Sequence, residues 1–153
     1  MSDPATCCEA SVKAYLQDLT MKCMSALNNR NFDPDAPPWR NHLADHFEAT
    51  ANGTTVVRTK LQALENFACI ARQFPEYMNE VERINVVIQR HLAWSRSTKT
   101  RSAKVFVNAH TEGRPNARKY VNVYEFRFID GIWVAVKENL IAGIGGAETL
   151  VGM

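Results

Sequence analysis

The chain has 153 residues, 46% of them hydrophobic and 22% charged, with a formal net charge of +2. A chain of this length is expected to form one domain burying roughly 68–70% of its unfolded surface, and the composition excludes collagen-like, low-complexity and disordered classes. The balance of 18 basic against 16 acidic residues argues against a dedicated nucleic-acid binder, and no apolar run approaches the roughly 18–20 residues of a membrane span.

Asp3, Glu9 and Asp18 fall in the first 20 residues, which lack a basic start. No signal peptide is therefore expected, and a cytoplasmic location is. Cys7, Cys8, Cys23 and Cys69 form no CxxC pair and read as reduced thiols. Helical spacing makes Cys23 and Cys69 candidates for core filler. The basic cluster Arg90, Arg96, Lys99 and Arg101 lies among Ser and Thr, as at a solvated hairpin tip.

Asp3-Pro4 has the pattern of a helix start, an N-cap followed by proline. Cys8, Val12, Leu16, Leu19, Cys23 and Leu27 then form one stripe of a long amphipathic helix. Asn28-Asn29-Arg30-Asn31 ends it. A loop from Phe32 to Pro38 follows, and Pro37-Pro38-Trp39 opens a short helix ending near Leu43. A strand is predicted from about Phe47 to Thr50, then a turn at Asn52-Gly53. Thr59 and Gln62 make a capping box. It opens a third helix with Leu61, Leu64, Phe67, Ala68 and Ala71 on one side, ended by Pro75.

Beyond Pro75 the period changes from 3.6 to 2. Ile84, Val86 and Ile88 alternate with polar residues toward Leu92 and Trp94. Further strands are predicted at about 102–111, 120–129 and 132–140. Asp130-Gly131 joins the last two as a two-residue hairpin turn. Three helices followed by long antiparallel strands mean an α+β domain over residues 1–153. From about residue 141 a Gly-rich segment reads as a flexible tail. Gly143-Ile144-Gly145-Gly146 lacks the Lys-Ser/Thr of a phosphate loop.

This element order resembles the NTF2-like (SnoaL-like) superfamily. The strongest local match is Tyr124-Glu-Phe126-Arg-Phe128-Ile-Asp130-Gly131-Ile-Trp133, which is similar to its terminal hairpin. The resemblance implies a cone-shaped fold, helices packed on a curved antiparallel sheet around a pocket, and often a homodimer. It also spans isomerases, dehydratases, cyclases and pure binding proteins, so fold alone settles no activity. Ile129-Asp-Gly-Ile-Trp133 resembles the turn of fungal scytalone dehydratases, which implies a pocket amide at Asn122 and paired histidines at His91 and His110. Tyr120-Val-Asn122-Val-Tyr124 resembles a strand of the fungal meroterpenoid isomerases and cyclases. The dehydratase's Tyr-Asp pair is replaced by Leu27-Asn28, and its second tyrosine has no counterpart near Phe47.

Strand parity gives a reading from the residues themselves. Tyr120, Asn122, Tyr124, Phe126 and Phe128 share a face, with Trp133 paired to Phe128 across the turn. Phe106, Asn108 and His110 share a face on the neighbouring strand. If the two faces coincide, His110 is an acid/base, Asn122 and Tyr124 are polarising donors, and His91 is a second acid/base that needs a bulge to point inward. Tyr120, Phe126, Phe106 and Trp133 would then wall the substrate, with Asp45 and His46 at the pocket mouth. Aromatic core or dimer interface is the competing reading of the same wall. His42, Asp45 and His46 have metal-ligand spacing, but the helix is expected to end among them, and no metal is assigned. Glu138 has the wrong parity unless a bulge turns it inward, where burial would make it a base with a raised pKa.

The resulting expectation is a cofactor-free, homodimeric isomerase, cyclase or dehydratase acting on an apolar secondary metabolite. It has no nucleic-acid or membrane partner. The alternative is a non-catalytic module that binds a ligand or a protein.

Overall fold

The structure, a computed structural model, describes residues 8–89, 101–115 and 118–142. Asp3-Pro4, His91, Trp94 and the Gly-rich tail from Gly143 lie outside the described residues. Helix α1 spans Glu9–Asn28, with Cys8 extended at its N-cap. Its buried stripe includes Val12, Leu16, Leu19 and Leu27, as the spacing predicts, but Met24 replaces the half-buried Cys23 as the core residue of that turn. Helix α2, Trp39–His42, is a single turn.

Strand β1 starts directly after it, at Leu43, and runs to Ala51. Asn52 and Gly53, both at positive φ (50° and 86°), turn the chain into β2, Thr54–Val57, a strand the sequence pattern does not announce. Helix α3, Lys60–Gln73, opens on the predicted capping box. Thr59 Oγ1 accepts from the Gln62 N–H at 3.0 Å, and Gln62 Oε1 accepts from the Arg58 N–H at 2.8 Å. Its buried face carries Ala63, Leu64 and Ile70. Leu61, expected on that face, is exposed, as is Cys69.

The remaining strands are β3 (Met78–Gln89), β4 (Ser102–Glu112), β5 (Lys119–Ile129) and β6 (Ile132–Ala142). The six form one sheet in the order β2-β1-β6-β5-β4-β3. All neighbours are antiparallel except β1 and β6, which run parallel, so the sheet is mixed rather than wholly antiparallel. The Asp130-Gly131 hairpin closes as read, with Phe128 opposite Trp133 and both turn residues at positive φ. Helix α1 packs across β3 and β4, α3 on β1, and α2 on β6. One sheet face is thus covered by helices, and the core lies between them.

Two irregularities break the period-2 alternation. Val81 pairs with Ala109 but Arg83 with Asn108, leaving Glu82 as an extra residue in β3. Phe126 pairs with Ala135 but Glu125 with Lys137, leaving Val136 extra in β6. Each bulge exchanges the inward and outward sets of its strand beyond that point.

Gly113 follows β4 at φ +77°, where a Cβ would collide with the Glu76 carbonyl and the Tyr77 backbone. It holds the end of β4 against the start of β3. Gly113→Ala is expected to destabilise the fold by more than about 1 kcal/mol, read as a lowered urea midpoint with an unchanged slope.

Candidate functional site

The concave face of the sheet and helices α1 and α3 enclose two adjoining chambers, of about 50 and about 40 Å³. Met24, Leu27, Ala63, Phe67, Tyr124 and Glu138 line both, so the Tyr124–Glu138 pair stands at their junction. The second chamber is apolar apart from that junction and the Thr20 and Cys23 side chains, with walls that include Trp39, Leu43, Phe47 and Phe126. Burial pushes the Cys23 thiol up to about 12, so it stays protonated and unreactive.

Glu138 is the ionisable group at the centre. It is 7% exposed and sits directly opposite Tyr124 across β5 and β6. The bulge at Val136 puts it there. In unbroken alternation Trp133, Ala135 and Lys137 would share the inner face, and Lys137 would meet Tyr124. The slip points Lys137 to solvent and Glu138 inward. Desolvation raises the carboxyl to about 7, against the opposing pull of hydrogen bonds from Tyr124 and Asn122. Tyr124 is pushed well above its ordinary value, first by burial and then by the charge of Glu138, so it remains a neutral O–H donor. Asn122, 5% exposed, donates from Nδ2 to Tyr124 Oη at 3.1 Å.

A second polar cluster closes the other end of the first chamber. Tyr77 and Tyr120 donate their hydroxyls to Asn79 Oδ1 at 3.0 and 2.6 Å. Asn28, at the last turn of α1, clamps the Asn79 backbone with a donated and an accepted bond, both 2.9 Å. Arg30, at φ 62°, donates to the Pro75 and Tyr77 carbonyls at 2.8 and 2.6 Å. Asn28 therefore serves as a fastener between α1 and β3.

The structure gathers some of the residues anticipated from sequence and scatters others. Asn122, Tyr124 and Tyr120 line the first chamber, and Phe126 lines the second. His110 does not join them. On β4 the odd residues Ala103, Val105, Val107 and Ala109 are buried, and Val107 is the partner of Asn122. The face carrying Phe106, Asn108 and His110 is the outer one, so Phe106 and His110 are corrected to outside the cavity. His110 is held there by Glu82 Oε1 at 2.9 Å and Glu112 Oε1 at 3.2 Å, and those two carboxylates, Glu112 first, raise its pKa.

Trp133 is fully buried against Phe128, with ring centroids 5.3 Å apart, and touches neither chamber. It is corrected to core. Asp45 and His46 are exposed on β1 rather than at a pocket mouth, because α2 stops at His42 and β1 begins at once. Asp45 lies 3.5 Å from Lys60 Nζ. His42 Nδ1 is 2.8 Å from the Trp133 carbonyl oxygen.

No family profile matches the chain, and no curated protein matches it in sequence. Solved structures do match in fold. An NTF2-like protein of unknown function from Pseudomonas putida aligns over 91% of this chain and 93% of its own, at 14% identity and a TM-score of 0.65. A proposed dehydratase of the NTF2-like family from Streptomyces avermitilis aligns over 90% and 100%, at 12% identity and 0.62. Hexachlorocyclohexane dehydrochlorinase LinA-type3 from Novosphingobium barchaimii aligns over 85% of each chain, at 15% identity and 0.60. The chain therefore has the α+β NTF2-like fold. Likeness at these identities fixes the architecture and leaves the chemistry to the site.

Glu138 links pH to stability. Its folded value of about 7 lies above the ordinary 4.5, so between those values the folded state holds a proton that the unfolded state has released. Stability contributed by this group is complete below about pH 4.5 and is lost as pH rises through 7, an effect on the order of 3 kcal/mol. Urea unfolding of wild type and Glu138→Gln between pH 4.5 and 8 checks this. The variant is expected to lack that decline.

Proposed function

We propose that the protein is a cofactor-independent enzyme of general acid–base chemistry, an isomerase, cyclase or dehydratase for an apolar polyketide- or terpenoid-like molecule. The observation that carries this reading is Glu138, a carboxyl buried between Tyr124 and Asn122 in a largely apolar cavity and poised near neutral pH. A general base works best with a pKa near the operating pH. Glu138 takes the base role first expected of His110.

In this scheme the Glu138 carboxylate removes a proton from a carbon beside a carbonyl, and the C–H electron pair passes into an enolate. As Glu138 takes up the proton, the Tyr124 O–H that was donated to it turns to the enolate oxygen, while the Tyr124 oxygen goes on accepting from Asn122. The proton on Glu138 then returns to a different carbon, giving isomerisation. Where the enolate carbon instead attacks a second carbonyl of the same molecule, a C–C bond closes a ring and the proton goes to that carbonyl's oxygen; where a hydroxyl lies beta to the carbonyl, the proton leaves with it as water and a C=C bond forms. Phe126 and the second chamber hold the apolar body of the substrate. A plain binding module remains the second reading, favoured by the apolar lining of that chamber.

The acid–base reading is tested with 5-nitrobenzisoxazole, which opens to a nitrile when a base removes its ring C–H proton and the N–O bond breaks. Wild type is expected to open it faster than the same concentration of acetate, with a rate rising through about pH 7. Glu138→Gln is expected to lose about 10²-fold or more of that rate. Equal rates for the two proteins would leave the binding reading.

We also propose a homodimer formed through the outer sheet face. Phe106 lies opposite Val123 there, and Val121 opposite Ile141, making a half-exposed apolar patch. Sedimentation is expected to show a dimer that Val123→Lys converts to monomers. A wild-type monomer would contradict it.

A further inference from the structure

The first chamber is lined by a residue with a buried acceptor that the protein leaves open. Asn122 donates from Nδ2 to Tyr124 Oη at 3.1 Å, and its amide also stabilises the Glu138 carboxylate. While Glu138 is ionised this orientation is fixed, since turning the amide over would set oxygen against oxygen. Asn122 Oδ1 is left buried with no hydrogen-bond partner in the protein, on a residue 95% buried. A buried acceptor left open is costly, and native sites seldom leave one without a use.

At the far end of the chamber the two tyrosine hydrogens are committed. Tyr77 and Tyr120 each have one hydroxyl hydrogen, and both hydrogens go to Asn79 Oδ1. Their oxygens retain only lone pairs for anything else. Among the described residues lining either chamber there is no Lys, Arg or His. The site therefore offers an anion no counter-charge.

We infer that this cavity takes a neutral hydroxylic ligand, a phenol or an alcohol, whose O–H donates to Asn122 Oδ1 while its apolar body occupies the second chamber. This names a substrate class for the acid–base site and rests on that reading only in sharing its residues, because binding needs no turnover. A ligand with acceptors alone would leave Asn122 Oδ1 unpaired and place its own oxygen against it. A carboxylate or phosphate would lose its hydration beside Glu138 without gaining a cation.

The test is equilibrium binding of phenol, anisole and benzoate to the full chain at pH 7, read by ligand-detected NMR. Anisole is the more hydrophobic of the neutral pair, so a merely greasy cavity favours it. Phenol is expected to bind about tenfold more tightly than anisole, the scale of one good hydrogen bond, with no benzoate binding. Asn122→Leu is expected to erase the preference. Should that variant fail to fold, Asn122→Ala, which removes the same acceptor without adding bulk, is expected to erase it as well. Anisole binding as tightly as phenol, any benzoate binding, or no binding of any probe overturns the inference. Phenol preference without Glu138-dependent ring opening would support the ligand class while removing the acid–base reading.

Discussion

One extra residue in β6, Val136, decides which side chains reach the interior. Before it Trp133 and Ala135 face the core; after it Glu138 and Leu140 do, and Lys137 is turned to solvent. A sheet alternates strictly, so a single inserted residue inverts everything that follows. Here the inversion buries an acid in place of a base, opposite a tyrosine and beside an amide. The raised carboxyl and the added push that its charge gives the Tyr124 pKa both follow from that slip. Bulges commonly re-aim a side chain beside a site, and this one defines the chamber junction.

The rest of the fold holds the two ends of the cavity apart. At one end the closed hairpin and the Phe128–Trp133 contact fix β5 against β6. At the other, Asn28 and Arg30 tie the end of α1 to the start of β3, which positions Asn79 and its two tyrosines. Those fasteners are hydrogen bonds to backbone, so they set position rather than supply chemistry. The outer face carries the ion pairs of His110 and a patch of valines, physically separated from the chambers by the sheet itself.

Much of this architecture was legible in the chain. Elements with a uniform period read cleanly: α1 from its stripe, α3 from Thr59 and Gln62, β4 to β6 from alternation, and the last hairpin from Asp130-Gly131. Asn122, Tyr124, Tyr120 and Phe126 share a face in the sequence and share the cavity in the structure. The failures cluster where alternation breaks. Met78 to Arg83 did not read as strand because the Glu82 bulge interrupts the pattern, and β2 is too short to show one. The inner face of β4 carries Ala103, Val105 and Val107 rather than Phe106, Asn108 and His110, a choice that strand parity alone leaves open. Register, which no single strand encodes, decided the matter. Glu138 was accessible only through a conditional bulge.

The account stands on the ionisation of Glu138 in the folded protein. Labelling glutamate side-chain carboxyls with carbon-13 and following their shifts with pH, with Glu138→Gln assigning the resonance, measures it directly. The account predicts a midpoint near 7 for Glu138. A midpoint near the ordinary carboxylate value would show a solvated side chain and contradict both the buried base and the site built around it.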